Sequence, residues 1–230
     1  MKRSTAPVAG ALAALALCAG AAAPALAGSA PAGPPTTVTV RVEGLRRTLL
    51  YATTVRTRRG WITRFGAPRG SCPASGAAGA LDAATHHRWS GSYGTYGLSV
   101  ISILGESHPF SSPYYWAIFV DGRYAQFGIC DLRLRRGEQL LFAAVPDKGT
   151  EYPLMLSAPA RARAGRPFAV RVETYGSGSA ERPVAGALVD GVRTDARGYA
   201  TVKVRRPGRA RLTATLAGFI RDEATVAITR

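Results

Sequence analysis

Asparagine is absent from the 230 residues, lysine supplies three of the 30 basic side chains, and acidic side chains number 14, leaving a formal net charge of +16. Without asparagine there is no acceptor for N-linked glycosylation. With so few carboxylates, general acid–base chemistry has little to draw on, and Asp121 and Asp190 already have a turn role in Asp-Gly pairs. Enzyme signatures are missing too: there is no GxSxG elbow, Walker loop, HExxH or GxGxxG. Gly105-Glu106-Ser107-His108 gathers an acid, a hydroxyl and an imidazole in one loop. Triad members converge from separate elements, so neighbours in sequence argue against catalysis there. These absences imply a non-catalytic binding protein, with no cofactor identifiable from the residues.

Residues 1–27 read as a cleaved export signal. Lys2 and Arg3 start it, an Ala/Leu run follows from Val8 to Ala23, and Ala25-Leu26-Ala27 supplies a small-x-small cleavage pattern before Gly28. An uncleaved anchor and a lipoprotein modified at Cys18 are the competing readings; Ala-richness argues against the first and the bulk of Leu17 against the second. No other apolar stretch is long enough to span a bilayer, so the mature chain is expected to be secreted or to sit on the extracytoplasmic cell surface. Cleavage leaves Cys72 and Cys130, an even pair that reads as one disulfide. Zinc held with His86, His87 or His108 is the alternative, although no CxxC or HxxxH spacing pre-orders such a site. The basic charge favours anionic partners, which outside the membrane are lipid head groups and cell-wall polymers rather than nucleic acid. The Arg-for-Lys bias and the abundance of Ala and Gly fit GC-rich codon usage equally well.

Residues 28–36 are a flexible Gly/Ala/Pro spacer. Thr37 to Glu43 alternates with Val38, Val40 and Val42 on one face, the two-residue period of a half-buried strand, and Thr48 to Thr57 follows as its partner. The spacing predicts one helix from Ser75 to Trp89, capped by Ser75, then a Gly/Tyr/Ser loop from Gly91 to Gly97. Strands are expected at Leu98 to Leu104, Tyr115 to Val120, Tyr124 to Ile129 and Gln139 to Val145, with Asp121-Gly122 as a hairpin turn. The fold class is mainly β: a β-rich α+β domain with one helix over 37–145, a linker over 146–153, and a small antiparallel β-sandwich of immunoglobulin-like type over 154–230. The second half is expected from short alternating runs at Phe168 to Thr174, Val184 to Val189, Tyr199 to Val204, Ala210 to Leu216 and Ala224 to Ile228.

The segment from Gly97 to Phe142 resembles the DUF4430 domain family, relatives of the C-terminal β-domain of transcobalamin and intrinsic factor. Ser102-Ile103-Leu104-Gly105, the Tyr115-Trp116 pair, the Asp121-Gly122 turn, Gly128 and Gly137-Glu138 carry the resemblance by order and spacing. In transcobalamin such a domain closes over one face of a cobalamin held mainly by a helical barrel, and nothing in this chain makes paired helices. The resemblance implies a binding module for a corrinoid-like compound, another small ligand or a protein surface. The second half is similar to bacterial immunoglobulin-like repeats, which implies a spacer or an adhesion module on an anionic cell-envelope polymer or a protein partner.

Candidate ligand-binding residues are loop aromatics, because flat rings on glycine-permitted backbone stack on planar ligands. Tyr93 and Tyr96 lie in the loop after the helix; Phe110, Tyr114 and Tyr115 lie in or beside the loop before the Tyr-Trp strand. The two loops flank opposite ends of one strand, a separation of roughly 20 Å. The reading therefore prefers the Glu106 to Tyr114 loop alone. Exported protein is predicted to begin at Gly28 and to carry one Cys72–Cys130 bridge. Intact mass with and without reductant and alkylation checks this, and two free thiols in native protein contradict it.

Overall fold

A computed structural model describes residues 33–149 and 151–230; the expected signal segment, Cys18 and residues 28–32 of the spacer lie outside the described residues. The first half contains β1 (Thr37–Glu43), β2 (Thr48–Arg56), α1 (Ala77–Ala84), β3 (Trp89–Gly94), β4 (Gly97–Ile103), β5 (Glu106–Ser107), β6 (Tyr114–Val120), β7 (Arg123–Tyr124) and β8 (Gln139–Pro146). The second half contains β9 (Tyr152–Pro153), β10 (Met155–Ser157), β11 (Arg161–Arg163), β12 (Pro167–Thr174), β13 (Arg182–Pro183), β14 (Leu188–Val189) and β15 (Val192–Arg193). It ends with β16 (Tyr199–Lys203), β17 (Gly208–Thr215), β18 (Phe219–Ile220) and β19 (Asp222–Thr229). The fold is mainly β with a single helix among the described residues.

The main sheet has the order β2-β1-β8-β6-β7, with β1 and β8 parallel and the other neighbours antiparallel. Val38, Val40 and Val42 are buried on the face that α1 covers, as their alternation requires. Asp121 and Gly122 both take positive φ, 47° and 78°, which is the backbone a two-residue hairpin turn needs. Asp121 also accepts a hydrogen bond from the Gln139 backbone N–H at 2.8 Å. A separate three-stranded sheet, β3-β4-β5, lies on the same side as α1 and adds Trp89, Leu98 and Ile103 to that core. The Cys72–Cys130 disulfide is formed, with Cα atoms 4.4 Å apart, and joins the long loop after β2 to the segment before β8. Closing a loop of this length is worth roughly 4 kcal/mol in the chain-entropy model.

The helix is shorter than the periodicity suggests. Its N-cap is Gly76 with no side-chain cap bond, so Ser75 does not cap it, and it stops at Ala84. Past that point His86 and His87 take φ of 50° and 65°, and Trp89 begins a strand. The buried Asp82 carboxylate enforces the turn: it receives Trp89 Nε1 at 2.8 Å, meets His87 Nδ1 at 2.8 Å, and pairs with Arg64 and Arg58. Inside the helix Gly79 is required, because a Cβ there would meet the Ala74 carbonyl oxygen at 1.8 Å. The expected Gly/Tyr/Ser loop is mostly the β3–β4 hairpin, which places Tyr93 in a strand. The strand expected at Tyr124 to Ile129 ends after Tyr124; the chain then turns to bring Cys130 to its partner.

In the second half two sheets face each other over Val172, Val189, Leu212 and Val226. One joins β10, β12, β13 and β16; the other has the order β11-β19-β17-β14-β15. The pairing is not wholly antiparallel, since β11 and β19 run parallel. Val184 to Ala187 lies outside any strand, leaving only Leu188–Val189 of that expected run in the sheet. Within the expected linker, Pro146 still belongs to β8, and Tyr152–Pro153 pairs in parallel with Phe219–Ile220.

The two halves share a third apolar cluster, in which Ile220 packs with Phe119, Leu141, Ala143 and Val145 on the sheet face opposite α1. Polar groups border it. Arg41 binds Glu43 at 3.0 Å and Asp222 at 2.9 Å, Arg221 approaches Glu43 at 3.6 Å, and the Thr48 hydroxyl lies within 3.1 Å of the carboxyl groups of both Glu43 and Glu223, to one of which it donates at a time. Glu43 is 1% exposed, and burial pushes its carboxyl up to about 7 against the opposing pull of Arg41, Thr48 and Arg221. Below pH 4.5 both folded and unfolded chains hold this proton. Between pH 4.5 and 7 the unfolded chain releases it first, so stability falls as pH rises, by at most about 3 kcal/mol. Urea denaturation across this window is predicted to show that fall, and Glu43→Gln is predicted to flatten it; an unchanged slope in the variant contradicts the assignment.

Candidate ligand groove

β6 pairs with β8 along its length on one edge but with β7 only at Phe119 and Val120 on the other. β4 similarly pairs with β3 on one edge and with β5 only at Ser102 and Ile103 on the other. Between these two incompletely paired edges runs an open groove of about 340 Å³, lined along one wall by Leu98 to Ile101 and along the other by Tyr114 to Ile118. Trp116 braces it: Nε1 donates to the Ile101 carbonyl at 3.2 Å, and the ring stands 5.2 Å from that of His108. The His108 backbone N–H donates to the same carbonyl at 2.8 Å, and its Nε2 lies 3.0 Å from Glu106. Glu106 in turn accepts from the Leu45 N–H at 2.8 Å. The acid and imidazole of the Glu106-Ser107-His108 run are thus tied into the scaffold.

Four of the five expected ligand-binding aromatics line this groove: Tyr96, Phe110, Tyr114 and Tyr115. Tyr93 does not. It packs at the margin of the α1-side core, where its N–H donates to Phe65. The objection that the two loops lie a strand-length apart has a geometric answer, because the groove follows β4 from the Tyr96 end to the Phe110 end. Tyr96 is 95% exposed, Phe110 80%, Phe127 67% and Tyr124 40%. Phe127 and Tyr124 were hidden in the sequence inside an expected strand; their neighbours Gly128 and Cys130 are the signals that the chain turns there. Tyr115 packs on the opposite sheet face and meets the Tyr124 hydroxyl at 3.5 Å on the groove rim. Burial, then the Tyr124 hydroxyl, pushes the Tyr115 hydroxyl upward and keeps it protonated.

A second cavity, of about 450 Å³, lies beside Cys130 under Pro34 and Pro35; it contains no aromatic ring. Among the described residues no three His, Cys, Asp or Glu side chains cluster to hold a metal ion. The two cysteines are consumed by the disulfide, which removes them from the zinc alternative. Among the described residues no helix is long and apolar enough to cross a membrane.

No family model matches the chain, and no curated protein matches it by sequence. Several solved structures resemble it, two of them over about half its length. Haptocorrin, solved in complex with Cbi, is 17% identical with a TM-score of 0.38; the match covers 49% of this chain and 25% of that one. A Ruminococcus gnavus protein provisionally named as metal binding is 14% identical with a TM-score of 0.35, covering 48% of this chain and 97% of its own. This chain spans about a quarter of haptocorrin, and neither likeness assigns it a ligand or an activity.

The groove's rings divide into exposed and structural ones. Phe110→Ala is predicted to change stability by less than about 0.5 kcal/mol, as exposed sites do. Trp116→Ala is predicted to cost about 3–5 kcal/mol, as a buried ring with a hydrogen bond does. Chemical denaturation of both variants checks this; equal losses contradict the division.

Proposed function

We propose that the chain is an exported, non-catalytic binding protein whose first half holds a small ligand in the groove between β4 and β6. The crowding of Tyr96, Phe110, Tyr124 and Phe127 around one groove carries this reading. Three largely solvent-facing rings and the part-exposed Tyr124 cost the folded chain hydrophobic burial, and a shared groove gives them a common occupant. The groove's volume suits a small molecule, and polar groups sit among its rings: Ser99, Ser112, His108, Asp147 and the tyrosine hydroxyls. Its walls belong to β4 and β6, and Tyr96, Phe110 and Phe127 project from the loops around them. A corrinoid belongs to the ligand class implied by the family resemblance.

A second reading rests on charge. Lys203, Arg205, Arg206 and Arg209 are all exposed around the β16–β17 turn and offer a basic edge to an anionic envelope polymer. In that reading the second half attaches the protein and the first half binds. Attachment of this kind is released by salt.

Nile red fluorescence and cyanocobalamin absorbance, each titrated with the full exported chain, test the groove. Saturable binding of at least one probe is predicted, weakened about tenfold or more in the Phe110→Ala/Phe127→Ala double variant at an unchanged melting temperature. Binding that the double variant retains in full contradicts the groove as the site.

A further inference from the structure

We infer that the groove selects an organic ammonium cation, held between aromatic faces and the Asp147 carboxylate; this rests on the groove being the ligand site. The first observation is where this chain puts its arginines. Exposed Tyr51 carries Arg211 at 3.5 Å from its ring centroid, and exposed Tyr199 has Arg171 at 5.3 Å and Arg197 at 5.9 Å. Tyr175 carries Arg123 at 3.9 Å, and Arg64 lies over Phe65 and Trp89. Among the described residues, the exposed rings without a cation over them are Tyr96, Phe110, Tyr124 and Phe127, and all four line the groove. Tyr124 packs against Phe119 with ring centroids 5.5 Å apart, and the negative faces of Tyr96, Phe110 and Phe127 are left open to a cation from outside.

The second observation is the groove's own charge. In a chain with 30 basic residues and a net charge of +16, no arginine or lysine among the described residues lines it. One aspartate does. The backbone N–H of Asp147 donates to the Pro113 carbonyl at 2.8 Å, and among the described residues its exposed carboxylate has no salt-bridge partner. The other lining groups that could carry charge near neutrality reduce to His108, whose imidazole is engaged by Glu106. An anionic ligand would meet a carboxylate and no cation. A neutral flat ligand would use the rings but leave the Asp147 charge uncompensated. A quaternary ammonium uses both, and its methyl-covered charge keeps the cost of leaving water low while the rings and the carboxylate replace the solvent.

The test titrates the full exported chain with choline and with 3,3-dimethylbutan-1-ol, its uncharged isostere, by calorimetry, and with Nile red in parallel. Choline is predicted to bind about tenfold or more tightly than the isostere. Asp147→Asn is predicted to reduce that preference severalfold while leaving Nile red affinity unchanged, and the Phe110→Ala/Phe127→Ala variant to weaken choline and dye together. Equal binding of choline and the isostere, or a preference that survives Asp147→Asn intact, overturns the ammonium assignment and leaves the groove as a site for another ligand. No saturable choline binding overturns it as well; if the dye is also unbound, the groove reading falls with it.

Discussion

The pairing of β6 with β8 is the contact on which the rest of the molecule depends. Its side chains alternate between two buried faces. Trp116, Ile118, Leu140, Phe142 and Ala144 enter the α1-side core; Ala117, Phe119, Leu141, Ala143 and Val145 enter the cluster completed by Ile220. A strand pair covered on both faces needs a near-continuous apolar run, and Tyr-Tyr-Trp-Ala-Ile-Phe-Val and Leu-Leu-Phe-Ala-Ala-Val are such runs. The second half is therefore structural cover for the first. Because β6 is held so firmly on its β8 side and so briefly on its β7 side, its free edge becomes a rigid wall of the groove.

Much of this was legible in the residues, for local physical reasons. The Val38, Val40 and Val42 alternation, the Asp121-Gly122 turn and the even cysteine pair each encode one outcome with little help from the surroundings. The helix end was not legible. Its periodicity continues past Ala84, but a buried tertiary carboxylate, Asp82, draws Trp89, Arg64 and His87 around itself and turns the chain. Nor could sequence place Ile220 against Phe119, because contacts between residues a hundred positions apart leave no local period. The aromatic site was half visible: Phe110, Tyr114 and Tyr96 stand out as loop rings, whereas Phe127 and Tyr124 sit in a run that imitates a strand.

Charge is distributed with a pattern that composition alone conceals. Arg41, Arg211 and Arg221 serve the contact between the halves, and others cover aromatic faces. Among the described residues, the groove is where this basic chain places aromatic rings without arginine or lysine. A GC-rich codon bias would make arginine common throughout; it would not keep arginine out of one aromatic groove.

The chain has three tryptophans, Trp61, Trp89 and Trp116, of which Trp116 alone lines the groove. Fluorine NMR of 5-fluorotryptophan-labelled protein, titrated with choline and with cyanocobalamin, therefore reads the site by position. The account predicts that one resonance, assigned to Trp116 by its loss in Trp116→Phe, shifts on ligand addition while the other two stay in place. A shift confined to Trp61 or Trp89, or no shift under saturating binding, would contradict it.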